Sequence, residues 1–223
     1  MSTVLSTETV VFPIPLIPKE WNMADVRSHV GDVPLKRIRT YPPPGMATEE
    51  DALKEPVCEL IDGILVEKAT GAYESLLASL LITEINNYLA TNPIGFVTGE
   101  QGPYRLLPRR MRVPDVAFVC WDRLPARKLP RGQVLSVAPD LVVEILSPSN
   151  TKKEMEKKLK EYFKAGVRLV WYVDPEKRTA EVFTSPADVE QLDAEGILDG
   201  RDVLPGFKLK IKDWLDKVPR EEG

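Results

Sequence analysis

Between Asp140 and Asp174 the chain reads strand, helix, strand, and that order restricts the folds open to it more than any other stretch does. "DLVVEIL" is an apolar run of strand length. Thr151, followed three residues later by Glu154, makes a capping box, so a helix is expected over Lys152 to Ala165, stopping at Gly166. "VRLVWYVD" then returns as a strand. Upstream, "VCELIDGILVEK" reads as two short strands about Asp62 and Gly63, a favoured hairpin turn. Apolar residues at helical spacing predict a helix from Ala72 to Thr91, closed by Asn92 and Pro93. Further strands are expected in "GFVTG", "PYRLLP", "VPDVAFVC", "TAEVFT" and "FKLKI", and a short helix in "MATEEDALKE". The sum is an α/β layered fold, a mixed sheet flanked by helices. Residues 1–47 are rich in proline, which cannot donate ladder hydrogen bonds, and read as an arm or packing strap. The expected division is arm 1–47, one domain 48–216 and a charged tail 217–223.

Charge and rare residues exclude several functions. A chain of 223 residues with net charge −4 lacks the overall basic footprint of a protein held to nucleic acid by charge alone. No apolar run approaches the ~20 residues needed to span a bilayer, and the start has no signal-peptide pattern, so a cytoplasmic protein is expected. Cys58 and Cys120 are isolated and read as core thiols. The lone histidine, His29, reads as a solvated residue of the arm, and histidine triads or multi-histidine metal sites are excluded. No G-x-x-x-x-G-K-[ST], G-x-G-x-x-G or G-x-S-x-G stands in the chain.

The carboxylates are more informative. Side chains alternate along a strand, so Glu144 shares a face with Asp140, Val142 and Leu146. An unpaired carboxylate taken out of water costs several kcal/mol, so Glu144 requires a cation, a proton or a hydrogen-bonding partner. Asp115 opens the strand "RVPDVAFVC" and stands beside Glu144 if the two strands are neighbours. A divalent metal is one arrangement that relieves their repulsion. Glu74 and Glu84 both fall on the apolar arc of the first long helix, but ten positions, roughly 15 Å, separate them, so they cannot serve one ion together. On the second helix Met155, Leu159, Tyr162 and Phe163 form the apolar stripe, and Lys158, on its flank, is the lysine best placed to reach Glu144. The plainer reading of Lys158 and Glu154 is a surface ion pair one turn apart. Tyr162, Trp171 and Trp214 read as core or rim aromatics.

"VPDVAFV", "PDLVVEILSPSN", "EMEKKLKEYFKAGVRLVWYVDP" and "LPGF" together resemble the Uma family of restriction endonucleases, a branch of the PD-(D/E)xK nuclease superfamily, over about residues 56–216. The resemblance implies a restriction endonuclease-like mixed sheet with acids at one edge. Asp115 matches the family's aspartate after proline, Glu144 its strand glutamate, and Lys158 its helix lysine four residues before a tyrosine, here Tyr162. Glu154 stands where members often carry aspartate, and Glu74 where many carry histidine. Leu146 departs from the wider superfamily, which has lysine there. The implied chemistry is DNA cleavage: Asp115 and Glu144 hold Mg²⁺ or Mn²⁺, Lys158 steadies charge, and Glu74 completes the shell. Arg105, Arg109, Arg110 and Arg112 are either phosphate contacts or a solvated loop.

Three functions are consistent with these residues: a metal-dependent endonuclease, a binding module that keeps the fold without activity, and a structural protein whose buried acids only pair with bases. A homodimer is expected by analogy with dimeric nucleases.

Overall fold

The computed structural model describes residues 21–55, 57–69 and 71–218. In chain order the elements are α1 (Met23–Val30), α2 (Glu49–Lys54), β1 (Cys58–Ile61), β2 (Ile64–Glu67), α3 (Ala72–Thr91), β3 (Gly95–Gly99), β4 (Tyr104–Leu107), β5 (Arg110–Arg112) and β6 (Val116–Cys120). There follow β7 (Leu141–Ile145), α4 (Lys152–Ala165), β8 (Leu169–Asp174), β9 (Thr179–Ser185), β10 (Asp188–Leu192), β11 (Ile197–Asp199), β12 (Lys208–Lys210) and α5 (Ile211–Leu215).

The central sheet has six strands in the order β10-β9-β8-β7-β6-β3. Its β7 and β8 run parallel, joined by α4, and the other neighbours run antiparallel. A parallel pair needs a crossover, and the strand-helix-strand order from Asp140 to Asp174 supplies it. The Thr151 side chain accepts from the Glu154 amide at the helix start, and Gly166 ends the helix at φ 96°, where an L side chain would be strained.

Strand alternation divides the core in two. Val116, Phe118, Leu141, Val143, Trp171 and Val173 pack beneath α3 and α5. On the other face Ala117, Val119, Val142, Val170 and Tyr172 pack beneath Met155, Leu159 and Tyr162 of α4. Trp171 and Trp214 are fully buried, as read from the sequence.

A second sheet, ordered β2-β1-β5-β4, stands beside α4. Its β1-β2 hairpin turns at Asp62 (φ 51°) and Gly63 (φ 85°), the left-handed pair a tight hairpin requires. A side chain at Gly63 would also collide with the Gly45 carbonyl, 2.4 Å from the position of its Cβ. Residues 21–47, expected as an extended strap, instead begin with α1. Asn22 caps that helix and exchanges hydrogen bonds with Asp25, and Val26 and Val30 pack on Ile61, Ile64 and Val66. His29 is half-buried rather than solvated. Its Nδ1 lies 2.7 Å from Asp62 Oδ2 and its ring stacks on Trp21. The rest of the expected arm, 1–20, and most of the tail lie outside the described residues; Lys217 of the tail pairs with Glu84.

The strands β5, β10 and β11 and the helix α5 were not legible by period. β10 is an edge strand whose first four residues are exposed, so no apolar alternation marks it. Cys58 is buried and Cys120 half-buried, and both are free thiols.

Candidate active site

The antiparallel register of β6 and β7 pairs Val116 with Val143. That register sets Asp115, just before β6, across from Glu144, near the end of β7. Asp115 Oδ2 accepts a hydrogen bond from the Ile145 amide at 2.6 Å, so the backbone of β7 itself holds this carboxylate. Glu144 points to the α4 face, where its Oε1 accepts from Lys158 Nζ at 3.2 Å and from the Tyr162 hydroxyl. The structure therefore gathers Asp115, Glu144 and Lys158 in one cluster. All three are nearly fully buried, at 2%, 4% and 2% relative exposure, which decides that they are core side chains and not a surface pair.

Two more residues join them. Glu59 of β1 approaches Lys158 Nζ through Oε1 at 3.2 Å, and Arg112 donates to its Oε2 at 2.7 Å. Lys68, just after β2, sets its Nζ 2.7 Å from Asp115 Oδ1. Glu59 was open to the argument used for Glu144, since "VCELI" also interrupts an apolar strand with an acid. Lys68 carried no such signal. It sits in the connection to α3 and becomes part of the site only through the fold.

The other expected residues are placed differently. Glu74 is buried in the first turn of α3, with its carboxylate folded back so close to Gly71 that a side chain there would collide with it. No ion pair among the described residues joins Glu74 to the cluster. Glu154 does not pair with Lys158; Arg37 grips it with two hydrogen bonds of 2.9 and 2.8 Å. The three arginines put forward for phosphate are engaged within the protein. Arg112, 2% exposed, is spent on Glu59 and Glu161, and freeing it would strip each of these buried carboxylates of one of its two cations. Arg109 donates to the carbonyls of Gly45 and Asp62, and Arg105 clasps Glu49. Arg110 bridges Asp62 and Glu161.

Burial and charge pull the two strand glutamates apart. Burial pushes the Glu59 carboxyl up, but Lys158 and Arg112 overcome it and hold Glu59 at about 2. Glu144 is raised, first by burial and then by the neighbouring charges of Asp115 and Glu59, with Lys158 and Lys68 opposing. Lys158 stays protonated: burial works against its charge, but the acids around it raise its pKa above the ordinary value. Tyr162 is likewise raised, by burial and by Glu144, and remains a neutral donor.

Two shallow depressions approach the start of β6. One, of about 420 Å³, is lined by Ser75, Ser79, Gly99 and Glu100, and one of about 270 Å³ by Cys58, Glu100, Met111 and Val113. A larger groove, about 650 Å³, runs between α4 and the ends of β7 and β8 along Met155, Tyr172 and Phe183, and none of Asp115, Glu144 or Lys158 lines it.

A six-stranded mixed sheet with helices on both faces and a parallel crossover at β7-α4-β8 defines a layered mixed α/β protein. The chain belongs to the Uma2 family, described as "Putative restriction endonuclease", whose match spans residues 49–212. The fold is similar to a crystal structure described as "a putative nuclease belonging to DUF820" from Anabaena variabilis. That similarity has a TM-score of 0.62 at 24% identity and covers 76% of this chain and 92% of that one. Comparison with curated proteins returns no match. No helix among the described residues is long and apolar enough to cross a membrane.

Proposed function

We propose that the chain is a metal-dependent endonuclease that hydrolyses DNA phosphodiester bonds at Asp115, Glu144 and Lys158. One observation carries the reading: an aspartate and a glutamate stand side by side across β6 and β7, and a buried lysine from α4 lies on the glutamate. Membership of a family described as restriction endonucleases supports DNA as the substrate.

The donor chemistry fits a hard divalent cation. Magnesium keeps several waters and takes one or two protein carboxylates together with substrate phosphate, and Asp115 and Glu144 supply two such carboxylates. Among the described residues no group of three or more acids, cysteines or histidines is arranged around one ion position, so the remaining ligands would be water and phosphate. An ion of this kind, when bound, polarises a phosphoryl oxygen and lowers the pKa of its water. The chain's own residues then have distinct tasks. The Ile145 amide fixes Asp115, Tyr162 orients Glu144 through its hydroxyl, and Lys158, kept cationic by Glu144 and Glu59, offers a fixed positive charge where negative charge develops. Assembly as a homodimer belongs to the same proposal, by analogy alone, and light scattering measures it.

A second reading is favoured by the closure of the cluster. Lys68 and Lys158 already neutralise Asp115 and Glu144 inside the protein, as in a structural ion-pair core. Thermal unfolding with and without Mn²⁺, run beside plasmid nicking, separates the two. The nuclease reading expects a metal-dependent rise in melting temperature, nicking in Mg²⁺ or Mn²⁺, and a loss of about a hundredfold or more in Asp115→Asn and Glu144→Gln. Undiminished nicking by either variant would refute it.

A further inference from the structure

Lys68 is a buried cation that the proposed chemistry does not use, and its contact with Asp115 is unlike the others in the cluster. Its Nζ lies 2.7 Å from Asp115 Oδ1, its side chain is 2% exposed, and yet the ammonium finds no acceptor in hydrogen-bonding geometry. It is held there by charge alone. The two oxygens of Asp115 have separate duties: Oδ2 is anchored by the Ile145 amide, so the carboxylate keeps its place whether or not Lys68 is present. The oxygen that remains for a cation is the one Lys68 covers.

The charge balance points the same way. Within the cluster Glu59, Asp115, Glu144 and Glu161 meet Lys68, Lys158 and Arg112, with Arg110 shared between Glu161 and Asp62; with His29, which also meets Asp62, counted as neutral, the five acids outnumber the four bases by one. A divalent ion in place of a single ammonium makes up the missing charge. Lys68 also differs from Lys158 and Arg112 in the element that carries it. It follows the end of β2 in the short connection to α3, whereas Lys158 sits on a helix and Arg112 on a strand.

We infer that Lys68 is the resident counter-ion of the site: its ammonium holds the Asp115 oxygen that a divalent cation takes, and metal loading displaces it. The inference rests on the nuclease reading and adds a competition between a protein cation and the metal, which keeps the metal-free core neutral and sets the affinity for the ion. Lys68 is on this view a positioning residue and not a catalytic one.

The test is Mn²⁺ binding by calorimetry, with thermal unfolding in parallel, on the parent chain, Lys68→Met, Lys68→Arg and Asp115→Asn. Lys68→Met is expected to bind Mn²⁺ at least fivefold more tightly than the parent. Its metal-free melting temperature should fall, with saturating Mn²⁺ restoring most of the loss. Lys68→Arg keeps the charge and is expected to bind like the parent, and Asp115→Asn to lose binding. Equal Mn²⁺ affinity in Lys68→Met and the parent, with Asp115→Asn deficient, overturns the role of Lys68 and leaves the nuclease reading intact. Absence of Mn²⁺ binding in the parent overturns both. If Lys68→Met does not fold without metal, folding in Mn²⁺ supports the inference, and failure to fold there refutes it.

Discussion

Glu59 in the four-stranded sheet and Glu144 in the six-stranded sheet each interrupt an apolar strand, each is buried, and each reaches the same lysine, yet their chemistry differs. Glu59 shares two cations, Arg112 and Lys158, and accepts from the Val113 amide. Glu144 contacts only a share of Lys158 and a neutral tyrosine, with Lys68 acting through its charge alone and Asp115 close by. The difference teaches that burial alone does not set the state of a carboxyl. The charges within reach do as well, and a site can hold one acid's pKa down while its neighbour's is raised.

Removing the shared partner is the strongest way to break this contrast. Lys158→Met leaves Glu59 and Glu144 buried with one cation fewer between them, and a loss of about 3–5 kcal/mol is expected in urea unfolding. A change below about 1 kcal/mol would mean that the cluster is not an ion-pair core.

Single replacements sharpen the contrast. Glu59→Gln removes a carboxylate whose lowered pKa favours the folded state, at a cost of roughly 3 kcal/mol near neutral pH. Glu144→Gln removes a carboxyl whose ionised form burial disfavours, and should stay within about 1 kcal/mol of the parent. The pH profiles of melting temperature then differ in sign. The Glu59 contribution is present above the ordinary value of 4.5 and drains away as pH falls toward about 2, so Glu59→Gln flattens the acid limb. The Glu144 contribution is present below 4.5 and is lost as pH climbs through its raised folded value, so Glu144→Gln flattens that decline. Profiles altered on the same limb by both variants would contradict the assignment.

The smallest effect is expected at the surface. Lys54 and Glu50 make an ion pair one helical turn apart with both side chains mostly exposed, and Lys54→Ala should cost no more than about 0.5 kcal/mol. A larger loss would show that exposed pairs in this chain behave like the buried cluster.

Much of this architecture was legible in the residues. The helices at 72–91 and 152–165 have the expected bounds, because helical period and caps are local signals. Glu144, Asp115 and Lys158 were legible as candidates because an acid in an apolar strand demands a partner and a helical wheel names the lysine on its flank. The same argument would have found Glu59. The arginines gave no decision because four basic residues within eight positions look alike whether they face water or a buried acid, and only β5 pairing against β1 turned Arg112 inward.

By itself, then, the sequence determined the two long helices and most strands of the central sheet, the α/β class and the requirement that Glu144 meet a partner, since these depend on periodicity, capping and the cost of burying charge. Only the tertiary structure decided which cation stands at which oxygen: Lys158 and Tyr162 at Glu144, Arg112 and Lys158 at Glu59, Lys68 at Asp115. Those pairs join residues far apart in the chain, and Coulomb attraction between buried groups depends on distances that no local pattern encodes.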